Sequence, residues 1–498
     1  MSAPARERRG LLGQPRWFAT LFVVDMWERF SFYGMLAILF LYMVADREDG
    51  GLGMTEGDAA TLSGLYMSLV FVSALPGGWL ADRVFGARRA TLYGGVLITA
   101  GHLLLTVPGP AGFYPGLGLV VAGSGLVKPG MAAMVGRMYD GQPQRREAAF
   151  SLFYMSIQVS ALLAPLVTAY LGERINWHLG FGAAALGMVI GLVCYVAGWS
   201  TFGDTGLAPD RPLPPGEARR VLRRAALYGG LPGLAVVCAA AAGVLPLRAV
   251  LALVGLLVLV SPPLYYRGLL RTPGVGAAHR TRLRALWWML CASAGFWLLF
   301  AQGPALLNLF AKEAVDRVVA GFEVPAGWFQ SAQPLFLLVL SPVAAWLWMR
   351  LGRRVGAPAK FAGGLLAGGC AFVVMAVAAS AAEEGLVSPL WLLLVYLLLV
   401  CGELAVAPIG LSLSAEVAPP GFTGRLLGLF WLFAAVGAAV GGQAARLAEV
   451  VPDAVYYLLL AGVGLAVGAA LTVTARSLRR RLEAPPAETP ATPVGGVV

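Results

Sequence analysis

The stretch WFATLFVVDMWERFSFYGMLAILFLYMVA, residues 17–45, is apolar over most of its length yet carries Asp25, Glu28 and Arg29 near its middle. A bilayer core of about 30 Å needs about 20 apolar residues in a helix, so this stretch predicts a membrane span. No cleavage-site pattern follows it, and we interpret it as a retained first span rather than a signal peptide. A charge at mid-bilayer costs about 2.5–3.5 kcal/mol. Three charges in one span therefore indicate a functional site or a structural ion-pair cluster.

The composition points the same way as this first stretch. Of 498 residues, 58% are hydrophobic and 13% are charged, against about 25% charged in a soluble protein. This excludes a soluble enzyme, a disordered protein and a secreted disulfide scaffold, and it makes the lipid bilayer the expected surroundings. The net charge is +11, but no basic run is long enough for a nucleic-acid partner. The five cysteines stand singly in apolar runs without metal-ligand spacing, so we expect no metal and no cofactor.

The same length rule predicts an all-α polytopic membrane protein with fourteen transmembrane helices. The predicted spans are 17–45, 59–83, 88–107, 113–136, 147–171, 179–200, 226–244, 247–266, 285–311, 327–350, 359–381, 388–416, 425–448 and 454–476. In the stretch 226–266, two short helices must turn at Leu245 and Pro246. If this stretch is instead one re-entrant element, the chain has twelve or thirteen membrane spans.

A faint repeat divides the predicted spans into two halves. The segment PGGWLADRVFGARR (76–89) closes the second span, and PVAAWLWMRLGRR (342–354) closes the tenth. Two six-helix halves with the same basic turn are typical of a transporter built from repeats. The predicted regions are a tail at 1–16, a bundle at 17–200, a linker at 201–284 with an inserted helix pair at 226–266, a second bundle at 285–476 and a disordered tail at 477–498.

The basic residues predict the orientation. Lys and Arg concentrate in the loops on the side of the N-terminus, whereas Asp and Glu predominate in the loops on the opposite side. By the positive-inside rule, both termini of a multi-pass cell-membrane protein would be cytoplasmic.

Three motifs place charges inside the predicted spans. On a helix, Asp25, Glu28 and Arg29 share one face. Lys128 precedes a helix-bending proline in GSGLVKPG (123–130), and Glu403 stands alone in the twelfth span. The three carboxylates and two cations leave one surplus negative charge. Two carboxylates a turn apart titrate as a unit, and our hypothesis is that this cluster binds and releases a coupled proton.

In this order, these motifs resemble the proton-dependent oligopeptide transporter family of the major facilitator superfamily. Further motifs carry the resemblance, namely the segment 77–89, FSLFYMSIQ (150–158), PIGLSL (408–413) and GLFW (428–431). The resemblance implies a major facilitator fold of two six-helix bundles plus an inserted two-helix hairpin. It also implies proton symport of di- or tripeptides, or of peptide-like zwitterions, into the cell by alternating access, with the monomer as the functional unit.

The resemblance also implies roles for individual residues. Proton coupling would involve Asp25, Glu28, Arg29, Lys128 and Glu403. Substrate binding would involve Arg29 and Lys128 at the peptide carboxylate, Glu403 with Gln158 and Gln333 at the amino end, and Tyr33, Trp297 and Trp431 at the side chains. Ordinary helix packing explains these three aromatic residues equally well. A cytoplasmic hinge motif would comprise Asp82, Arg83, Arg88 and Arg89. Alternatively, these charged residues only set the topology of the chain in the membrane. Glu313 is a candidate outer gate or a solvated helix end.

The chain departs from the family's pattern at several of these positions. Leu36 and Ala301 stand where the family usually has an arginine and a glutamate that pair across the halves. Loss of both keeps the charge balance, whereas loss of one would leave a buried charge without a partner. Other substitutions are Phe32 and Phe71 for tyrosines and Gln158 and Gln333 for asparagines. We expect a less polar cavity of different shape.

Two other function classes compete with peptide uptake. A proton-coupled exporter of a drug or secondary metabolite is favoured by the loss of polarity at Leu36 and Ala301. The retained Arg29, Lys128 and Glu403 favour a zwitterion instead. A membrane-embedded enzyme would need clustered catalytic residues, but the three histidines His102, His178 and His279 lie in separate segments, so we expect no catalytic residues.

Overall fold

The computed structural model describes residues 14–214, 216–242, 244, 246–272, 277–419 and 422–483. Helices dominate these residues. The α-helices are α1 Arg16–Val44, α2 Glu56–Leu80, α3 Ala87–Leu105, α4 Pro110–Met138, α5 Pro143–Arg174, α6 Trp177–Ala197, α7 Glu217–Ala225, α8 Leu231–Ala241, α9 Leu247–Arg271, α10 Ala277–Phe300, α11 Leu306–Glu313, α12 Ala332–Leu351, α13 Ala357–Ala382, α14 Leu390–Val417, α15 Thr423–Ala444 and α16 Asp453–Leu482. Two short strands, β1 Val318–Val319 and β2 Phe322–Glu323, form an antiparallel hairpin between α11 and α12.

Eleven helices of the described residues are long and apolar enough to cross a membrane. The predicted count of fourteen spans is therefore not confirmed. The predicted spans that are not among these eleven helices also contain helical segments. α3 and α1, which carries Asp25, Glu28 and Arg29, are not among the eleven. α8 has only 11 residues and continues from α7 through a π-helical turn at Ala226–Gly230.

Two predicted boundaries were wrong. The span predicted at 285–311 is interrupted, because α10 ends at Phe300 and α11 begins at Leu306. Pro304 lies in the intervening turn and has no backbone N–H to continue a helix. Residues 477–482, which were predicted to belong to a disordered tail, are helical, since α16 runs to Leu482 through a segment without proline or glycine. The rest of that tail, and residues 1–13 of the N-terminal tail, lie outside the described residues.

Helices α1–α6 form one bundle and α10–α16 form a second bundle. We call the side where α1 begins and α16 ends the terminal face, and the opposite side the far face. On the terminal face each bundle has its own buried apolar cluster. On the far face a single, larger cluster contains buried residues from both bundles, among them Leu36, Phe40, Leu307 and Tyr396. The bundles are therefore joined at the far face and separate toward the terminal face.

The backbones of the two bundles approach closely where α2 crosses α15. A Cβ atom on Gly64 would lie 2.4 Å from the carbonyl oxygen of Ala438, and one on Gly442 would lie 2.6 Å from that of Ala60. Only glycine fits at such distances, and small residues allow membrane helices to pack this closely. These two glycines set the spacing of the far-face contact.

Candidate functional site

The charged motif of α1 forms an ion cluster inside the first bundle. The Arg29 Nε atom lies 3.2 Å from Glu28 Oε2 and 3.6 Å from Asp25 Oδ1. The two carboxylate residues are 1% and 3% exposed, and the Arg29 side chain is 14% exposed. Two buried carboxylates thus share one guanidinium nitrogen. With both ionised this trio has a charge of −1, which one bound proton would neutralise.

A serine of α5 forms a hydrogen bond with this trio. Ser156 Oγ donates a hydrogen bond of 2.7 Å to Asp25 Oδ2. One turn further along α5, Ser160 Oγ donates to the backbone carbonyl of Met26 at 2.7 Å. These bonds fix α5 against the charged face of α1. Sequence reasoning missed Ser156, although it lies within the FSLFYMSIQ segment, because nothing in a sequence shows that its hydroxyl meets Asp25.

Lys128 lies against aromatic rings. Its Nζ atom is 4.9 Å from the centre of the Phe32 ring and 5.7 Å from that of Phe71. Cation–π attraction holds an ammonium group at such distances. The two phenylalanines that replace the family's usual tyrosines therefore still contact this lysine through their ring faces. The structure places the two cations differently: Arg29 in the ion trio and Lys128 on aromatic rings.

The second bundle contributes one carboxylate to the interior. Glu403 of α14 is half-buried, and the amide Nε2 of Gln333 on α12 lies 3.5 Å from its Oε2 atom. The structure therefore brings together Glu403 and Gln333, as the sequence predicts. Among the described residues no ion pair to Glu403 is present. Its negative charge has an amide neighbour rather than a cation.

Aromatic side chains connect the two bundles beside these charges. Phe71 of α2 stacks on Trp431 of α15, with 5.2 Å between ring centres and an interplanar angle of 10°. Trp431 in turn lies 6.1 Å from Trp297 of α10. The buried Nε1 atom of Trp297 has no hydrogen-bond acceptor among the described residues. This donor and the stack line the space between the bundles.

Two tyrosines lie between the charged groups of the two bundles. Tyr33 is close enough to both Arg29 and Glu403 for their charges to act on its hydroxyl. Tyr154 of α5 lies near Tyr33 and Glu403 and is 50% exposed. The exposed Tyr154 side chain therefore lies on the side of α5 that faces Glu403 of the second bundle. The predicted contact of Gln158 with a peptide amino end stays a prediction.

The hinge motif holds the linker that follows α6. The Arg88 guanidinium donates to the carbonyl oxygens of Trp199 and Gly203, the latter at 2.5 Å, and lies 3.8 Å from the Trp199 ring centre. Arg83 Nη1 donates to the carbonyl of Arg211 at 3.2 Å. All these partners belong to residues 199–213, so in this conformation the motif is bound to the linker.

The other two motif residues are exposed. Asp82 accepts a hydrogen bond from the backbone N–H of Arg211 through its carbonyl at 3.1 Å. The side chains of Asp82 and Arg89 both face solvent or lipid headgroups. A role for these residues in conformational change stays a prediction.

The far face is closed by polar contacts as well as by the shared core. Asn308 Nδ2 of α11 donates to the carbonyl of Ala37 at 2.9 Å. Glu173 at the end of α5 accepts hydrogen bonds from the backbone N–H groups of Ala326 and Gly327, both at 2.8 Å. Sequence reasoning missed these contacts because each joins residues more than 150 positions apart.

A cavity of about 730 Å³ opens on the far face between the bundles. Glu313 lines it, as do Glu56 of the first bundle and Asp453 of the second. The structure thus places Glu313 at the far-face opening, where a gate residue would have to be. Its role as a gate stays a prediction.

Comparison with known proteins identifies the fold and the family. A sequence model described as the POT family matches residues 88–217 and 276–459. The uncharacterized transporter YclF of Bacillus subtilis is 36% identical over 96% of this chain and 96% of its own length. The peptide transporter YePEPT of Yersinia enterocolitica is 36% identical over 87% of this chain and 88% of its own. A crystal structure of a peptide transporter POT in complex with sulfate superposes with a TM-score of 0.89 at 39% identity, covering 95% of this chain and 97% of that one.

Proposed function

This chain belongs to the POT family, and on that premise we propose that it imports di- or tripeptides with protons by alternating access. One observation supports this proposal above the others. The ion trio of one bundle and Glu403 of the other, which has no cationic partner among the described residues, both lie near Tyr33 between the bundles. A zwitterionic ligand supplies the two complementary charges for such a site.

In this proposal, proton binding releases Arg29 for the substrate. The carboxylates of Asp25 and Glu28 compete for the same Nε atom. A proton on one of them removes one of the two attractions on the guanidinium, which then binds the peptide carboxylate. Lys128 adds a second positive charge. At the opposite pole, Glu403 binds the peptide ammonium group, with Gln333 as its hydrogen-bond neighbour.

The orientation of the protein in the membrane follows from the distribution of its basic residues. The terminal face carries the basic linker and the ends of α10 and α16, so the positive-inside rule makes it cytoplasmic. The described conformation is then open toward the cytoplasm and closed outside. We also propose that the protein acts as a monomer in the plasma membrane, as the family resemblance implies.

Export of a lipophilic drug is not favoured. The relatives named above include a peptide transporter. The positive charges of Arg29 and Lys128 would not bind a lipophilic cation. An uncharged metabolite would leave Glu403 without an opposite charge in a low-dielectric cavity, which is costly.

The test is uptake of di-alanine into proteoliposomes under an imposed inward proton gradient. We expect accumulation that collapses without the gradient and is competed by a panel of di- and tripeptides. Glu28→Gln should abolish gradient-driven accumulation and retain peptide exchange at equal concentrations, because exchange needs no net proton movement. Glu48→Gln, an exposed far-face carboxylate, is the matched control and should behave as wild type. Absence of uptake together with absence of competition would contradict the proposal.

A further inference from the structure

The inserted hairpin forms an ion pair at the far face. Asp58 lies in the first turn of α2, and Arg248 lies in the first turn of α9. Arg248 Nε is 3.1 Å from each carboxylate oxygen of Asp58. Arg446, which follows α15, places its Nη2 atom 3.2 Å from Asp58 Oδ1. One carboxylate thus joins the first bundle, the second bundle and the hairpin.

A second bond strengthens this junction between the bundles. Glu449 Oε1 accepts a hydrogen bond of 2.9 Å from the backbone N–H of Gly57, the residue next to Asp58. Deeper in the membrane, Thr61 Oγ1 donates to the carbonyl of Gly442 at 3.1 Å, and Ser68 Oγ donates to that of Ala435 at 2.6 Å. The seam between α2 and α15 is therefore closed along its far-face half.

Below Arg248, helix α9 covers this seam with apolar side chains. Leu251 and Val258 are two helical turns apart, so they lie on one face of α9. Both are buried in a single cluster with Leu65 of α2 and with Ala435 and Ala439 of α15. One face of α9 thus touches both bundles at once.

The other face of α9 is not covered by any of the residues that the structure describes. Its exposed apolar residues are Leu253, Leu256, Leu257, Leu259, Val260 and Leu264. A helix face of this kind contacts lipid. α9 therefore lies against the outside of the α2–α15 seam, with a lipid-facing back and a protein-facing front.

From these contacts we propose that α9 is a strap that holds the far face closed, and that Arg248 is a positioning residue of the outer gate. The proposal rests on alternating access as proposed above. Opening the far face separates the far ends of α2 and α15, and α9 cannot then contact both. Its contacts stabilise the closed state alone, so they shift the population toward the conformation open to the cytoplasm.

The experiment measures the far-face distance directly. Spin labels at Glu48 and Glu384, which are exposed on the two bundles at the far face, report the open and closed populations by double electron–electron resonance in liposomes. The background replaces the five native cysteines Cys194, Cys238, Cys291, Cys370 and Cys401. The variants are Arg248→Ala, Arg248→Lys and Asp58→Asn. Arg47→Ala is the matched control because the Arg47 Nε atom donates to the carbonyl of Leu52 in its own loop.

Arg248→Ala should raise the ratio of open to closed far face about two- to five-fold, the range expected for an exposed ion pair. Asp58→Asn should raise it further because both arginines lose their partner, whereas Arg248→Lys and Arg47→Ala should match wild type. The apparent affinity for external di-alanine should rise in Arg248→Ala by about the same factor as the open population. If Arg248 had only a structural role, the apparent affinity for di-alanine and the far-face distance between the labels would not change together.

Two results would contradict the strap, and they are distinguishable. If Arg248→Ala matches Arg47→Ala while Asp58→Asn opens the far face, the closure depends on Arg446 alone and α9 takes no part in it. If wild type shows a single far-face distance with and without peptide and proton gradient, alternating access itself fails, and the proposed function fails with it.

Discussion

The two bundles contribute different amounts of charge to the interior of the protein. The first bundle supplies Asp25, Glu28, Arg29 and Lys128, two of each sign, and its carboxylates lie within 3.6 Å of the Arg29 guanidinium. The second bundle supplies Glu403, whose polar neighbour is an amide at 3.5 Å. A buried charge needs compensation. The first bundle is therefore compensated internally, whereas the second depends on a proton or on a cationic end of the substrate.

The largest effect should follow from breaking the compensation within the first bundle. Arg29→Gln leaves two buried carboxylates without their cation, and removal of one partner of a buried ion pair costs about 3–5 kcal/mol. We expect a lower melting temperature in detergent and loss of proton-driven uptake. Arg89→Gln, at an exposed arginine of the same bundle, is the control and should change neither quantity. Unchanged stability of Arg29→Gln would show that the trio is not a compensated unit.

A smaller and more selective effect should follow in the second bundle. Glu403→Gln removes a charge that has no cationic partner among the described residues, so we expect little loss of stability. A hydrogen bond to a charged group contributes about 1.5–3 kcal/mol, which corresponds to about a 10- to 100-fold weaker binding of di-alanine.

The discriminating measurement for Glu403→Gln compares di-alanine with N-acetyl-di-alanine, which lacks the ammonium group. In wild type the free peptide should bind more tightly, and in Glu403→Gln the difference should vanish. The control is Glu384→Gln, at an exposed loop of the same bundle. A preserved preference for the free amine would place the ammonium site elsewhere.

The smallest effect should follow where the two bundles meet. Phe71→Leu removes the stack on Trp431 and one of the two ring faces near Lys128. An aromatic pair contributes about 0.5–1.5 kcal/mol beyond its buried area, so we expect about 2- to 10-fold weaker binding measured by competition against labelled di-alanine. Phe150→Leu, at an exposed aromatic residue of α5, should leave binding unchanged. Equal effects of the two substitutions would exclude a specific role for the stack.

Sequence reasoning predicted the charges of the cavity but not all of their partners. The spacing of Asp25, Glu28 and Arg29 on one helix is local, so the periodicity of a helix suffices to place them together. Ser156 was not assigned to the site, and the stack of Phe71 on Trp431 was not foreseen, because both contacts depend on how distant helices pack. The family resemblance implied that Gln333 and Glu403 act together at the peptide amino end; the two side chains lie 3.5 Å apart, and the role stays a prediction.

The departures at Leu36 and Ala301 gain a physical explanation from the structure. Both residues are buried in the apolar cluster that joins the two bundles at the far face. Their contact region is closed by packing of apolar side chains. An ion pair there would need both partners at once, and this chain has neither.

The sequence by itself determined that this protein is a helical membrane protein with charges at a functional site, because hydropathy and the cost of a buried charge are local properties. It also determined the family, through motifs that keep their order along the chain. Only the tertiary structure decided which face is closed, and that α9 lies across the α2–α15 seam beside Asp58 and Arg446. Those features depend on contacts between residues far apart in the chain, which no local pattern encodes.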